Sequence, residues 1–186
     1  LGREGRKITQ RDMELLLTKT GTDMGNLRME LEKLITYTMG RDVVTAKDIE
    51  DVCTTQTANK IFDMVRFVTE RNQKRALELY YDLLTLREPP MRILFLLAKQ
   101  FRQLLLTKKL TAEGISGQEL SSRLGVPSFV VRNLSSCARA YTVEELEGAV
   151  KDFVDAEEAV KTGQLGDVLS VELLIVKYST ARKSAK

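Results

Sequence analysis

Histidine is absent from the 186 residues. That removes the usual neutral-pH general base and the commonest metal ligand. There are only two cysteines, Cys53 and Cys137, and they belong to no CxxC or Cys/His cluster. A zinc site is therefore not expected. The two thiols could pair, but two buried free thiols in a reducing compartment is the favoured reading. No apolar run reaches the roughly 18 residues needed to span a bilayer, and nothing at the start resembles a signal peptide. There is no GxxxxGK[ST] loop, and no GxGxxG follows a strand, so nothing here cradles a nucleotide phosphate by itself. The serines and aspartates lack a His partner for triad chemistry. These absences point to a cytoplasmic protein without a catalytic constellation. The first residue is Leu, which suggests a piece of a longer chain.

What is present is ordinary for a globular protein: 43% hydrophobic and 30% charged residues, with a net charge of +3. Residues 1–57 hold 9 Lys+Arg against 10 Asp+Glu, and the remainder holds 20 against 16. The basic excess in the second part is too small to establish nucleic-acid binding, which usually needs a concentrated basic face.

Almost every segment repeats at helical period, which predicts an all-α fold. Asp42-Val43-Val44-Thr45 is the best strand candidate and is too short to matter. Thr9 caps a first helix carrying Met13, Leu15, Leu16 and Leu17, which ends near Gly21. Asp23 caps a second, with Leu27, Leu31, Leu34, Ile35 and Thr38 along one side and Gly40 as the stop. Thr45 and Asp48 form a capping box for a short third helix bearing Ile49 and Val52. The polar run Thr54-Thr55-Gln56-Thr57 marks the best domain boundary. Helices then follow over 59–69 and from Asn72 to about Leu86. Pro89 and Pro90 break the chain and start a helix from Met91 to about Lys109. This helix is apolar on most sides (Ile93, Leu94, Leu96, Leu97, Phe101, Leu104, Leu105), which predicts a central core element. Four more helices are expected, at about 117–124, 127–140, 142–162 and 166–181, and the tail from Ala181 to Lys186 should fray.

Three segments carry a resemblance. They are Gly25-Asn26-Leu27-Arg28-Met29-Glu30-Leu31-Glu32-Lys33-Leu34, then Lys60-Ile61-Phe62-Asp63-Met64-Val65, then Pro89-Pro90-Met91-Arg92-Ile93-Leu94-Phe95-Leu96-Leu97-Ala98-Lys99-Gln100-Phe101-Arg102-Gln103-Leu104-Leu105. In this order and spacing they resemble the C-terminal part of the delta subunit of the bacterial DNA polymerase III clamp loader. The resemblance implies a three-helix AAA+ lid-like domain over 1–57 and a larger helical collar domain, for oligomerisation, over 58–186. It implies partners: the clamp-loader ATPase (gamma/tau) and delta-prime subunits through the collar. The sliding clamp would be reached only through an N-terminal domain outside this chain, DNA contact would be weak or indirect, and no membrane is involved. No cofactor and no catalysis are implied.

Arg28 has two readings. The resemblance places it where AAA+ lids carry a nucleotide-reaching arginine, a role that would be vestigial here; the plainer reading is a surface pair with Glu32 at i+4. Lys99 and Arg102, three apart, could face a neighbouring subunit or nearby DNA, or simply solvate their ends. Phe153, Leu169, Leu173 and Tyr178, with Val150 and Val154, are candidates for apolar surface that a ring of subunits would cover. Internal core is the competing reading, and it is stronger for Phe153 and Leu173. Residues 117–134 read like a helix-turn-helix, so a DNA-binding transcriptional regulator is the alternative function. Packing around Leu120, Leu124, Val130 and Leu134 is the competing account of that corner. An ATP-hydrolysing AAA+ protein would need a P-loop upstream of Leu1.

Overall fold

The computed structural model describes residues 5–21, 24–53 and 57–180, with the side chains of 57–59 left aside. Asp23, the run Thr54-Thr55-Gln56 and the tail from Ala181 lie outside the described residues. The chain divides into two compact units, Leu1–Lys60 and Ile61–Lys186.

The first unit is built on α1 (Gln10–Thr20), α2 (Met24–Tyr37) and α3 (Ala46–Val52). Leu16, Leu34, Val44, Ile49 and Cys53 form its core, with Met13, Leu27 and Leu31 packed around them. Thr9 caps α1 by accepting from the Asp12 amide at 3.1 Å. The Thr45–Asp48 capping box is present in both directions. Asp48 also takes the Arg41 guanidinium at 2.9 Å. Burial pushes its carboxyl up, but hydrogen bonds from the Thr45 backbone and hydroxyl and from Arg41 outweigh that and hold its pKa below the ordinary 3.8.

One feature departs from the all-helical expectation. Lys7–Ile8 (β1) and Val43–Val44 (β2) pair in parallel, Lys7 opposite Val43 and Ile8 opposite Val44. Val43-Val44 thus does matter: it closes this unit by a long-range pairing and buries Val44 completely.

The second unit contains α4 (Thr57–Thr69, from Ile61 onward), α5 (Gln73–Thr85), α6 (Pro90–Ala112), α7 (Gly117–Leu124), α8 (Ser128–Ala138), α9 (Val143–Lys161) and α10 (Asp167–Ser179). Pro90 stands in the first turn of α6, where its missing N–H costs nothing. α6 packs against α7, α8, α9 and α10. It is not buried all round. Ile93, Leu94, Leu97, Phe101, Leu104 and Thr107 make one buried stripe, while Phe95 and Leu106 stand exposed on the outer side. Phe101 lies against the rings of Phe153, Tyr178 and Tyr141, at centroid distances of 5.1, 5.4 and 6.0 Å. Both cysteines are free and buried. Burial, followed by the charge of Glu30, pushes the Cys53 thiol up to about 11, so it is protonated at neutral pH.

Two outcomes follow. Phe101→Ala empties the aromatic cluster and should cost the second unit about 3–5 kcal/mol, read by urea titration with circular dichroism; a loss under about 1 kcal/mol would contradict this packing. Asp48→Ala should cost the first unit about 1–2 kcal/mol at neutral pH. Because the folded pKa of Asp48 is depressed, its contribution is full above 3.8 and fades as pH falls through the lower folded value. The gap between variant and wild type should therefore narrow in acid; a gap that widens would contradict it.

Candidate functional site

α10 owes its place to a small set of polar ties at its C-terminal end. The Tyr178 hydroxyl donates to Asp152 on α9, and Lys177 reaches the same carboxylate at 2.5 Å. Burial pushes the Asp152 carboxyl up, but these two partners outweigh it and hold its pKa below the ordinary value. Burial first, and the Asp152 hydrogen bond second, push the Tyr178 phenol well up. The Tyr178 carbonyl accepts from the Tyr141 hydroxyl at 2.8 Å and from Arg71 at 3.0 Å. Arg71 also donates to the Thr180 carbonyl at 2.7 Å and lies over the Tyr141 ring. Its own backbone is left-handed, at φ 61°, an uncommon conformation for a side-chain-bearing residue. Together with Glu145, Gly148 and Thr180, these residues line an open cavity of about 500 Å³. Its lining is occupied in holding the helices together, and Glu145 caps α9 by accepting from the Thr142 amide at 2.7 Å.

Tyr178 is thus a tie between helices. Phe153 is 3% exposed and belongs to the core, as its competing reading had it, so it offers no surface to a partner. Leu173 goes the other way: it is 50% exposed, and Leu169 one turn before it is 48% exposed. The opposite side of α10 is spent inside, through Val171, Leu174 and Ile175. Leu169 and Leu173, i and i+4, form an apolar line on the outside of the last helix. Tyr81 on α5 is also exposed, its hydroxyl donating to Glu172 on α10 at 2.7 Å. Lys99 and Arg102 are exposed on the outer side of α6. Phe95 and Leu106 share that side, and sequence reasoning missed them because apolar content alone does not say which side of a helix is covered.

Arg28 sits on the surface of α2 and pairs with Glu32 at 2.9 Å, an arrangement worth a few tenths of a kcal/mol. In the α7–α8 corner, Gly125 adopts the left-handed conformation at φ 64° that ends α7. The Ser121 hydroxyl donates to the Val126 carbonyl at 2.6 Å and fixes the turn. Leu120 and Val131 close a small core with Ile115, Leu134 joins the main core, and Leu124 and Val130 are half-buried. The corner's apolar positions are thus largely used in packing. Among the described residues no group of three His, Cys, Asp or Glu side chains is placed to hold a metal ion. No described helix is long and apolar enough to cross a membrane.

The family model for the DNA polymerase III delta subunit, C-terminal domain, matches residues 58–178. The DNA polymerase III subunit delta of Bacillus subtilis is 26% identical over 174 residues, which is 94% of this chain and 50% of that protein. The solved structure of the Bacillus subtilis DNA clamp loader delta protein (YqeN) superposes with a TM-score of 0.84 at 26% identity, covering 96% of this chain and 52% of that one. The chain therefore spans about half the length of the relatives it matches. These matches support the delta-subunit reading and lend nothing to a helix-turn-helix regulator. With a model matched across most of the second unit and the same fold in a solved relative, the chain belongs to the DNA polymerase III delta subunit, C-terminal domain family.

Proposed function

We propose that this chain is the assembly-bearing part of a clamp-loader delta subunit, working in the cytoplasm on the machinery that places the sliding clamp on DNA. The first unit acts as an AAA+ lid-like connector and the second as the collar that joins its neighbours. The partners are the loader ATPase (gamma/tau) and delta-prime subunits. The sliding clamp is reached through sequence outside this chain, and contact with DNA is weak or indirect. The chain itself catalyses nothing, and any role of Arg28 toward nucleotide is vestigial.

The observation that carries this reading is the outer face of α10. A helix that has already buried Val171, Leu174 and Ile175 still presents Leu169 and Leu173 to solvent. Covering the exposed half of each leucine would contribute about 0.7–1.5 kcal/mol. Leaving them bare gives the isolated unit nothing, whereas a subunit in a ring gains from covering them.

Leu169→Asp with Leu173→Asp should keep the helical signal while lowering the melting temperature by a few degrees, because about half of each side chain is already covered. It should weaken binding to the purified ATPase and delta-prime subunits by more than tenfold, measured by titration calorimetry. Unchanged affinity would remove α10 as the assembly face.

A further inference from the structure

Among the described residues, Arg71 and Arg87 are the two besides glycine that carry a positive φ, at 61° and 60°. Each stands just past a helix and closes it in the same way. The Arg71 amide donates to the Val68 carbonyl at 3.1 Å, and the Asn72 amide to the Phe67 carbonyl at 2.8 Å. The Arg87 amide donates to the Leu84 carbonyl at 2.9 Å, and the Glu88 amide to the Leu83 carbonyl at 3.0 Å. Glycine usually fills this position, because a Cβ is strained there. The two arginines differ in what their side chains do. Arg87 is exposed and makes no hydrogen bond, ion pair or ring contact among the described residues. Arg71 instead crosses to the end of α10. It donates to the Tyr178 carbonyl at 3.0 Å and the Thr180 carbonyl at 2.7 Å, and it lies over the Tyr141 ring.

The last carbonyls of a helix have no partner within it. No left-handed glycine closes α10, whose C-cap, Thr180, is extended at φ −72° and ψ 136°. Arg71 serves two of these carbonyls, and the Tyr141 hydroxyl shares that of Tyr178 at 2.8 Å. Beyond Ile175 the helix fully buries no apolar side chain. Val176 and Tyr178 are half-buried, and Lys177 and Thr180 are exposed. Ser179 is buried, but its hydroxyl turns back to the Ile175 carbonyl at 2.7 Å. The Tyr178 ring, 5.4 Å from that of Phe101, is the main apolar anchor. The remaining hold is polar and borders the open cavity of about 500 Å³. A segment with few buried apolar contacts and solvent-reached hydrogen bonds opens more readily than the core.

We propose that Arg71 is a latch on the last turn of α10, residues 176–180, and that this turn opens and closes separately while Val171, Leu174 and Ile175 stay packed. The ties made by the Arg71 side chain offset the strain of its backbone. Arg87 carries the same strain without such ties. Opening takes Tyr178 off Phe101 and Lys177 off Asp152, so the end of α10 has two positions. This does not depend on the assembly reading.

Native-state hydrogen exchange on the whole chain, followed by NMR in low urea, tests the latch. In the wild type, the amides of 177–180 should exchange through an opening that urea barely affects, while those of Ile93 to Leu104 on α6 follow urea steeply. Arg71→Gly and Arg87→Gly are then compared. Glycine accepts a φ near 60°, so both turns keep their shape. Arg71→Gly should speed exchange at 177–180 by about tenfold or more, beyond any change on α6. Arg87→Gly should leave 177–180 at the wild-type rate and raise the urea midpoint. The latch is overturned if 177–180 share the urea dependence of α6 in the wild type, or if Arg71→Gly leaves them within about twofold of it. Loss of the whole circular dichroism signal in Arg71→Gly would also overturn it, since Arg71 would then hold the entire unit. Trypsin gives an independent check, because cleavage after Lys177 needs the turn open. Arg71→Gly should be cut there about tenfold faster and Arg87→Gly at the wild-type rate; equal rates in all three contradict the proposal.

Discussion

The packing of Phe101 governs the second unit. Its ring, on the buried stripe of α6, is the point at which α9 through Phe153, α10 through Tyr178 and the turn residue Tyr141 converge. Three helices and a turn take their positions from one aromatic side chain. The polar ties nearby follow from this. Tyr178 can reach Asp152, and the Tyr178 carbonyl can accept from Arg71 and Tyr141, only because the rings fix the end of α10 against α9. Buried phenols and a carboxylate in one place would be costly unpaired. Here each has a partner, so the cluster specifies the helix arrangement as well as stabilising it.

Because α6 meets its neighbours along one stripe, the opposite side of that helix is left over. The same holds for α10. Both helices carry more apolar surface than the unit's own core can use, and in both the surplus lies in a line at helical spacing: Phe95 to Leu106 on α6, Leu169 to Leu173 on α10. A chain folding only for itself would gain solubility from polar residues at those positions. Under the proposed assembly role, that surplus is surface a neighbouring subunit would cover.

Local signals were readable before the fold was seen. The Thr45–Asp48 box, the Thr9 and Asn72 caps, and the Pro90 start need only neighbours in sequence, and each formed. The β1–β2 pairing was not readable, because two residues give no periodicity and their partners lie thirty-six positions away. The capping box of Thr142 and Glu145 is equally local, the Glu145 carboxylate accepting from the Thr142 amide. Phe153 and Leu173 show the limit of pattern reading. Both are large apolar residues on amphipathic helices, and only the three-dimensional packing sends one into the core and the other to the surface. Phe95 was missed for the same reason. Arg71 left no sequence signal, because its role depends on carbonyls more than a hundred residues away.

The central claim is that this chain exists to join other subunits. Multi-angle light scattering on a mixture of the chain with the ATPase and delta-prime loader subunits tests it most directly. The account predicts a single species whose mass includes one copy of this chain along with its partners, stable through the column. Separate elution of a folded chain at its own 21.0 kDa, at concentrations where the other subunits associate, would contradict it.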